Sequence, residues 1–452
     1  MSDSKPNIIL MNCDDLGYGD LGCYGSAANR TPALDRAAAE GVRLTDFYMA
    51  SPVCSPSRGG MMTGCYPPRI GFGCFENRGV LFPGQSVGLS PDEVTVADLL
   101  RSRGYATSHI GKWHCGDQPA FLPTRHGFDE YYGLPYSNDM GRSFFFERKG
   151  RPQYPPLPLL RGEEVIQEQP EQASLTERYT EEAVRFIRAN RRRPFFLYFG
   201  HMHVHLPLIV SRRFLEQSQN GAYGAAVECI DWSVDVLTTE LRRLGIDGQT
   251  IFIFTSDNGS KAINGGSNAP LRGTKNTTWE GGLRVPCIVR WPGVVPAGGV
   301  CREITTSLDF LPTLAGIAGA QPPRDRRIDG MDVLPLWRTP AAPGPRQDFF
   351  YYKRNQLEAV RSGRWKLHLA TGELYDLETD VAETANVAAS HPDVVDRVKV
   401  LADACRDDMG DTATGAVGRN CRPVGHVADA RPLTQYDPNH PYMVAMYDGE
   451  VG

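Results

Sequence analysis

Four short segments of this 452-residue chain place reactive side chains directly after apolar runs. Asp14-Asp15 follow NIILMN, Lys112 and His114 follow the run ending at Ile110, and Asp257-Asn258 follow TIFIFT. His201, His203 and His205 follow PFFLYF. Three carboxylates and an amide make an all-oxygen ligand set, which suits calcium, or less well magnesium, rather than zinc. Carboxylates gathered this closely repel one another unless a cation sits among them. A lysine offers a compact positive charge to an anion, and a histidine moves protons near neutral pH. Lys112 and His114 are two apart and face one way on an extended segment. Lys275, within Gly273–Gly282, is a second candidate anion clamp. The alternating histidines could also be read as a zinc site, a reading the hard-oxygen set disfavours. A fifth segment, Cys54-Ser55-Pro56-Ser57-Arg58, adds a thiol with an arginine one helical turn beyond it.

These groups meet only if the runs before them are neighbouring strands. Apolar runs alternate with helical patterns, which predicts an α/β fold with a large, mainly parallel sheet flanked by helices. In such a sheet, ligands bind outside the carboxyl ends of the strands. Strands are expected at Asn7–Asn12, Ala106–Ile110, Phe195–Phe199, Thr250–Thr255 and Cys287–Trp291. Helices are expected after Thr31 as cap with Pro32 at the first position, and at Thr95–Arg103, Ser174–Arg193, Tyr223–Leu244 and Thr305–Ala318. Ser55 is expected to cap a further helix with Pro56 in its first turn, which puts residue 54 at a positive helix end. Pro340–Arg346 reads as a linker. Phe349–Lys353, Leu357–Arg361 and Arg364–Ala370 read as a small antiparallel sheet, and Pro392–Cys405 as a helix. The expected division is a catalytic domain over residues 1–345 and a smaller C-terminal α+β subdomain over 346–452, ending in a wrapping tail.

Composition narrows the class. Hydrophobic residues make up 41% and charged residues 22%, as in ordinary globular enzymes. A net charge of -5 without a basic run gives nucleic acid no footing. No stretch approaches the ~20 apolar residues of a membrane span, so no membrane partner is expected. The 11 cysteines lack metal or disulfide-scaffold spacing. The N-terminus lacks a signal-peptide apolar region, so the expected compartment is the cytoplasm, or the periplasm or exterior if a leader was removed.

As a set, the motifs resemble the type I sulfatases of the alkaline-phosphatase superfamily, in particular the arylsulfatase A and N-acetylgalactosamine-6-sulfate sulfatase branch. The matching blocks are Asn12–Gly22, Cys54-Ser55-Pro56-Ser57-Arg58, Gly111-Lys112-Trp113-His114, His126-Gly127-Phe128-Asp129 and Pro135-Tyr136-Ser137. Thr255–Gly259, the Lys275 block and Gly372–Leu377 complete them. Cys65 departs from the pattern, standing where an arginine is usual. The resemblance implies conversion of Cys54 to formylglycine by a maturation enzyme, and calcium held by Asp14, Asp15, Asp257 and Asn258 with residue 54 beside it. It implies that Arg58 fixes the aldehyde hydrate and that Lys112 and Lys275 bind sulfate oxygens, with Ser137 a further contact. His114 would deprotonate the hydrate, and His205, two before Pro207, would protonate the leaving oxygen. His203 would be a substrate contact or lie behind the site.

The implied activity is hydrolysis of a sulfate ester, an aryl sulfate or a sulfated saccharide. A phosphonate or phosphate diester hydrolase is the nearest rival, and a non-catalytic sulfated-glycan binder the next. The pocket rim is expected from Phe72–Gly84, Ser143–Leu160 and Lys261–Asn268. Arg142, Arg148 and Arg151 are candidates to meet an acidic sugar.

Overall fold

The computed structural model describes residues 5–142 and 154–442; Arg148 and Arg151 lie outside them. Ten strands form one sheet. In chain order they are β1 (Asn7–Cys13), β2 (Val42–Leu44), β3 (Ala106–Gly111), β4 (Glu130–Gly133) and β5 (Pro158–Arg161). They continue with β6 (Glu164–Glu168), β7 (Phe195–Gly200), β8 (Thr250–Ser256), β9 (Cys287–Arg290) and β10 (Gly299–Cys301). Their spatial order is β10-β2-β9-β8-β1-β7-β3-β4-β5-β6. The five central strands, β8-β1-β7-β3-β4, are all parallel. Antiparallel pairs flank them, β8 with β9 and β9 with β2 on one side, and β4 with β5 and β5 with β6 on the other.

The central strands are buried on both faces, which explains their unbroken apolar runs. Successive side chains point to opposite faces. Ile9, Met11, Leu197, Phe199, Phe252 and Phe254 enter one core. Helices α1 (Pro32–Ala39), α4 (Leu175–Asn190) and α5 (Gly221–Arg243) cover it. Ile8, Leu10, Phe196, Tyr198, Ile251 and Ile253 enter the other, under α2 (Cys54–Thr63), α3 (Val96–Ser102) and α6 (Phe310–Ala318). Burying two faces of five strands is the main stabilising term, since each large apolar side chain contributes about 1.5–3 kcal/mol.

Several expected helix starts shift. Thr31 precedes α1 but does not cap it; its hydroxyl accepts from Gly22 N–H, and Asp231 of α5 takes the Ala33 and Leu34 amides at 3.0 and 2.8 Å. Thr95 does cap α3, in a reciprocal box with Asp98. Thr305–Ala318 is not one helix: Thr305-Thr306 pair with Phe47-Tyr48 as a short parallel ladder, and α6 begins at Phe310. Two β-branched residues at its expected start favour that extended pairing.

A second, four-stranded antiparallel sheet follows: β11 (Asp348–Lys353), β12 (Gln356–Ser362), β13 (Trp365–His368) and β14 (Leu374–Asp376). Helix α7 (Pro392–Met409) packs on it through Val394, Val398 and Ala402. The Pro340–Arg346 stretch is anchored rather than free, because Arg346 is buried against Asp309. The tail crosses the larger body: Gly425-His426 pair with Val87-Gly88, and Arg422 binds Glu93. Arg422 also contacts the Cys65 thiol at 3.3 Å, so a cation from the tail stands beside that departing position. Among the described residues no helix is long and apolar enough to cross a membrane.

Candidate active site

The parallel register sets the site. β1 aligns Cys13 with Ser256 of β8 and Asn12 with Gly200 of β7, while β3 aligns Gly111 with Gly200. All four strands therefore end at one level. Backbone bonds carry the ladder one step further: Asp257 N–H to Cys13 O, Asp14 N–H to His203 O and Lys112 N–H to Gly200 O, at 2.9, 2.9 and 2.7 Å. Gly111 is required there, since its φ is +102° and a Cβ would lie 1.9 Å from Gly200 O. Asp15 and His114 also sit at positive φ, +63° and +61°. That conformation is uncommon for such residues and is held by the surrounding contacts.

Asp14, Asp15, Asp257 and Cys54 bring one ligand atom each within 4.8 Å of one another, all buried. Asn258 joins them: its Nδ2 donates to Asp15 Oδ1 at 2.7 Å, while its buried Oδ1 has no partner. Three carboxylates and an orphaned amide oxygen fit a hard divalent cation. Asn258 is thus within the cluster, as its sequence position after β8 suggests.

Cys54 is the first residue of α2, and Val53 rather than Ser55 precedes the helix as its cap position. Ser55 Oγ instead accepts from Leu81 N–H at 3.1 Å. The thiol donates to Asp14 Oδ1 at 3.3 Å and lies 3.6 Å from Lys275 Nζ. Burial, and then Asp14, push its pKa well above the ordinary thiol value. An unmodified Cys54 is therefore a neutral, inert thiol. The helix end beside it nevertheless carries positive potential.

Three cations surround the carboxylates. Lys112 Nζ bonds Asp14 Oδ2 and reaches Ser137 Oγ at 3.2 Å. Lys275 Nζ lies 2.7 Å from Asp15 Oδ1. Arg58, one turn into α2, bonds Asp257 Oδ2 through Nε at 2.8 Å and Lys112 O through Nη1 at 2.9 Å. Burial alone would raise the Asp14 carboxyl, but Lys112, His205, Arg58 and Lys275 together hold it well below its usual range. Asp257 goes the other way, to about 6, because burial and the neighbouring Asp14 oppose its charge.

The histidines separate. His205 Nε2 lies 3.9 Å from Asp15 Oδ2, and its Nδ1 is 3.4 Å from Ser137 Oγ and 2.7 Å from Leu206 O. Ser137 thereby bridges Lys112 and His205. His114 Nε2 meets Leu81 O at 3.0 Å. A carbonyl only accepts, so Nε2 carries the proton and the buried, unpartnered Nδ1 keeps a lone pair. Burial and then Lys112 hold the His114 pKa well below 6.5. His203 is buried with both ring nitrogens unpartnered, and its pKa is lowered by burial to about 4. His201 turns away: it stacks on Phe199 and its Nε2 meets Ser233 Oγ of α5 at 3.0 Å. The three do not converge, and no zinc cluster of histidines occurs among the described residues.

Two contributors escape a reading of the sequence. Tyr198, an aromatic inside a core strand, donates no visible signal, yet its hydroxyl receives Asn12 Nδ2 at 3.2 Å and lies 3.5 Å from Arg58 Nη1. The Leu81 carbonyl orients His114 from the loop expected to form the rim. Arg142 stacks over Tyr436 of the tail, 3.4 Å from its ring centroid.

Comparison with known proteins agrees with this geometry. The sulfatase family pattern matches residues 6–320, and that of the N-sulphoglucosamine sulphohydrolase C-terminal region matches residues 274–405. The chain is 41% identical over 384 residues to N-acetylgalactosamine-6-sulfatase of Sus scrofa, covering 81% of this chain and 72% of that one. It is 39% identical over 446 residues to arylsulfatase A of Homo sapiens, covering 88% and 87%. The solved structure of Ps i-CgsB with k-i-k-neocarrahexaose superposes with a TM-score of 0.79 at 30% identity, covering 91% of this chain and 96% of that one. Matches of this extent show that the chain belongs to the sulfatase family and is a sulfuric ester hydrolase.

Proposed function

We propose that the enzyme cleaves an aryl or carbohydrate sulfate ester through formylglycine formed from Cys54, beside calcium held by Asp14, Asp15, Asp257 and Asn258. The observation that carries this reading is the convergence of those carboxylates on the residue-54 side chain with Lys112, Lys275 and Arg58 around them. When present, the oxidised side chain would supply nucleophilic hydroxyl chemistry at residue 54, and the cation held by Asp14, Asp15, Asp257 and Asn258 would supply positive charge for the sulfate.

The remaining work falls to the chain's own residues. Three carboxylates and three cations balance in charge, so a bound divalent cation would leave the cluster positive toward a sulfate-ester monoanion. Lys112 and Lys275 bind sulfate oxygens, in a buried setting where such contacts strengthen. Arg58 holds Asp257 and backs the residue-54 side chain. His205, at the edge of the cluster beside Ser137, protonates the leaving oxygen. His114, neutral with a free Nδ1, accepts the proton from the second hydroxyl. His203 contributes shape near Asp14 rather than a proton. Because Cys54 is fully buried in the fold, its conversion by a maturation enzyme precedes folding.

Turnover of 4-nitrophenyl sulfate against bis(4-nitrophenyl) phosphate, with calcium supplied, tests the reaction class. The sulfate is expected to have the higher kcat/KM; a higher value for the diester would reverse the assignment.

A further inference from the structure

A cavity of about 300 Å³ opens beside the catalytic cluster, lined by Asn276, Lys353, Arg354, Gln356 and Glu358. Asn276 directly follows Lys275 and is fixed there by its N–H bond to Pro52 O at 2.9 Å. The other four residues belong to the β11–β12 hairpin of the C-terminal sheet. The hairpin tip packs on the Gly71–Gly84 loop. A Cβ at Gly73 would lie 2.0 Å from Asn355 Oδ1, and one at Gly79 would lie 3.8 Å from Arg354 Nε. The same loop binds Ser55 of α2 and His114 through Leu81. The tip therefore stands on two segments that themselves touch the reacting groups.

The tip carries two cations without side-chain partners among the described residues. Neither the Lys353 nor the Arg354 side chain makes a hydrogen bond or ion pair among the described residues. Glu358 is occupied by Thr278 Oγ1 at 2.7 Å and leaves one net positive charge in the wall. Asn276 and Gln356 add amide groups suited to hydroxyls. Cations that stabilise nothing in the fold, next to a sulfate site, point outward to the substrate.

The geometry points to a subsite, built by Lys353 and Arg354, for a second anionic group on a sulfated saccharide, a carboxylate or another sulfate. This specificity rests on the sulfate-ester reading of the neighbouring cluster. Calorimetric binding to full-length Cys54→Ala protein with calcium tests it without turnover. The ligands are an N-acetylhexosamine monosulfate, the same sugar with a second sulfate, and the same sugar joined to a hexuronate. One doubly anionic ligand is expected to bind about tenfold tighter than the monosulfate, as one charge-assisted contact allows. Which of the two gains tells carboxylate from sulfate. The gain is expected to vanish in Lys353→Gln/Arg354→Asn, where asparagine tolerates the +56° φ at position 354. Equal binding of all three ligands, or a gain that survives the double substitution, would overturn the subsite. Hydrolysis of 4-nitrophenyl sulfate by the unsubstituted chain reports separately on the reaction itself.

Discussion

At the scale of single residues, the division of labour between the two histidines gives the sharpest expectation. His205 sits at the edge of the cluster near Asp15 and Ser137, where the proposed reaction would release its leaving oxygen. His205→Gln should reduce kcat on a sugar sulfate by about 10²–10⁴, the range for general acid catalysis. It should reduce kcat much less on 4-nitrophenyl sulfate, whose leaving group needs no proton. Equal losses on both substrates would move the acid elsewhere. The residues proposed to carry this chemistry stand out in the sequence because each follows an apolar strand: Asp14, Lys112, His205 and Asp257 all do. His201 was no less prominent in the pattern, yet it faces α5 and Ser233. Alternation along a segment does not reveal where a turning loop aims each ring.

At the scale of elements, the Lys275 loop depends on a buried charge cluster. Glu280, at the start of the short helix Glu280–Leu283, bonds Lys366 Nζ of β13 at 3.0 Å and Tyr351 of β11 at 2.6 Å. Glu383 takes Lys366 Nζ at 2.8 Å and Glu280 N–H at 2.8 Å. Removing one partner strands the others in the interior, which costs about 3–5 kcal/mol. Lys366→Met should thus lower denaturant stability by that amount and weaken sulfate binding through displaced Lys275; unchanged stability would show the cluster to be dispensable. Gly111→Ala tests the strand-end register in the same way. A methyl against Gly200 O should cost on the order of 3 kcal/mol, read as a shift in the urea midpoint, with no shift if the backbone can move aside. None of the Glu280 cluster was legible in the chain, because Glu280 lies 86 residues before Lys366 and each charged member reads alone as a surface charge. The misplaced start of α6 has a similar origin: the short Thr305-Thr306 ladder exists only because Phe47-Tyr48 lie beside it.

At the scale of the whole molecule, the alternation of apolar runs with helical patterns made the fold class readable and left its periphery open. Unbroken apolar runs announced a two-faced sheet, and the polar residue after each run announced the edge that binds. The antiparallel flanks of the large sheet and the placing of the hairpin against the Gly71–Gly84 loop follow from long-range packing that no local pattern encodes. The carboxylates proposed to hold calcium follow the neighbouring strands β1 and β8, so removal of the cation should act globally. Chelation with EGTA should abolish turnover and lower the unfolding temperature, and calcium at a hundred times its Kd should restore about 2.7 kcal/mol. A chelated protein that melts unchanged and stays active would remove calcium from the account. The most direct test of the central claim is mass spectrometry of the peptide bearing residue 54, taken from an active preparation. The account predicts an aldehyde at that position, in a fraction that scales with specific activity across preparations. Full activity from protein whose residue 54 is entirely cysteine would contradict it.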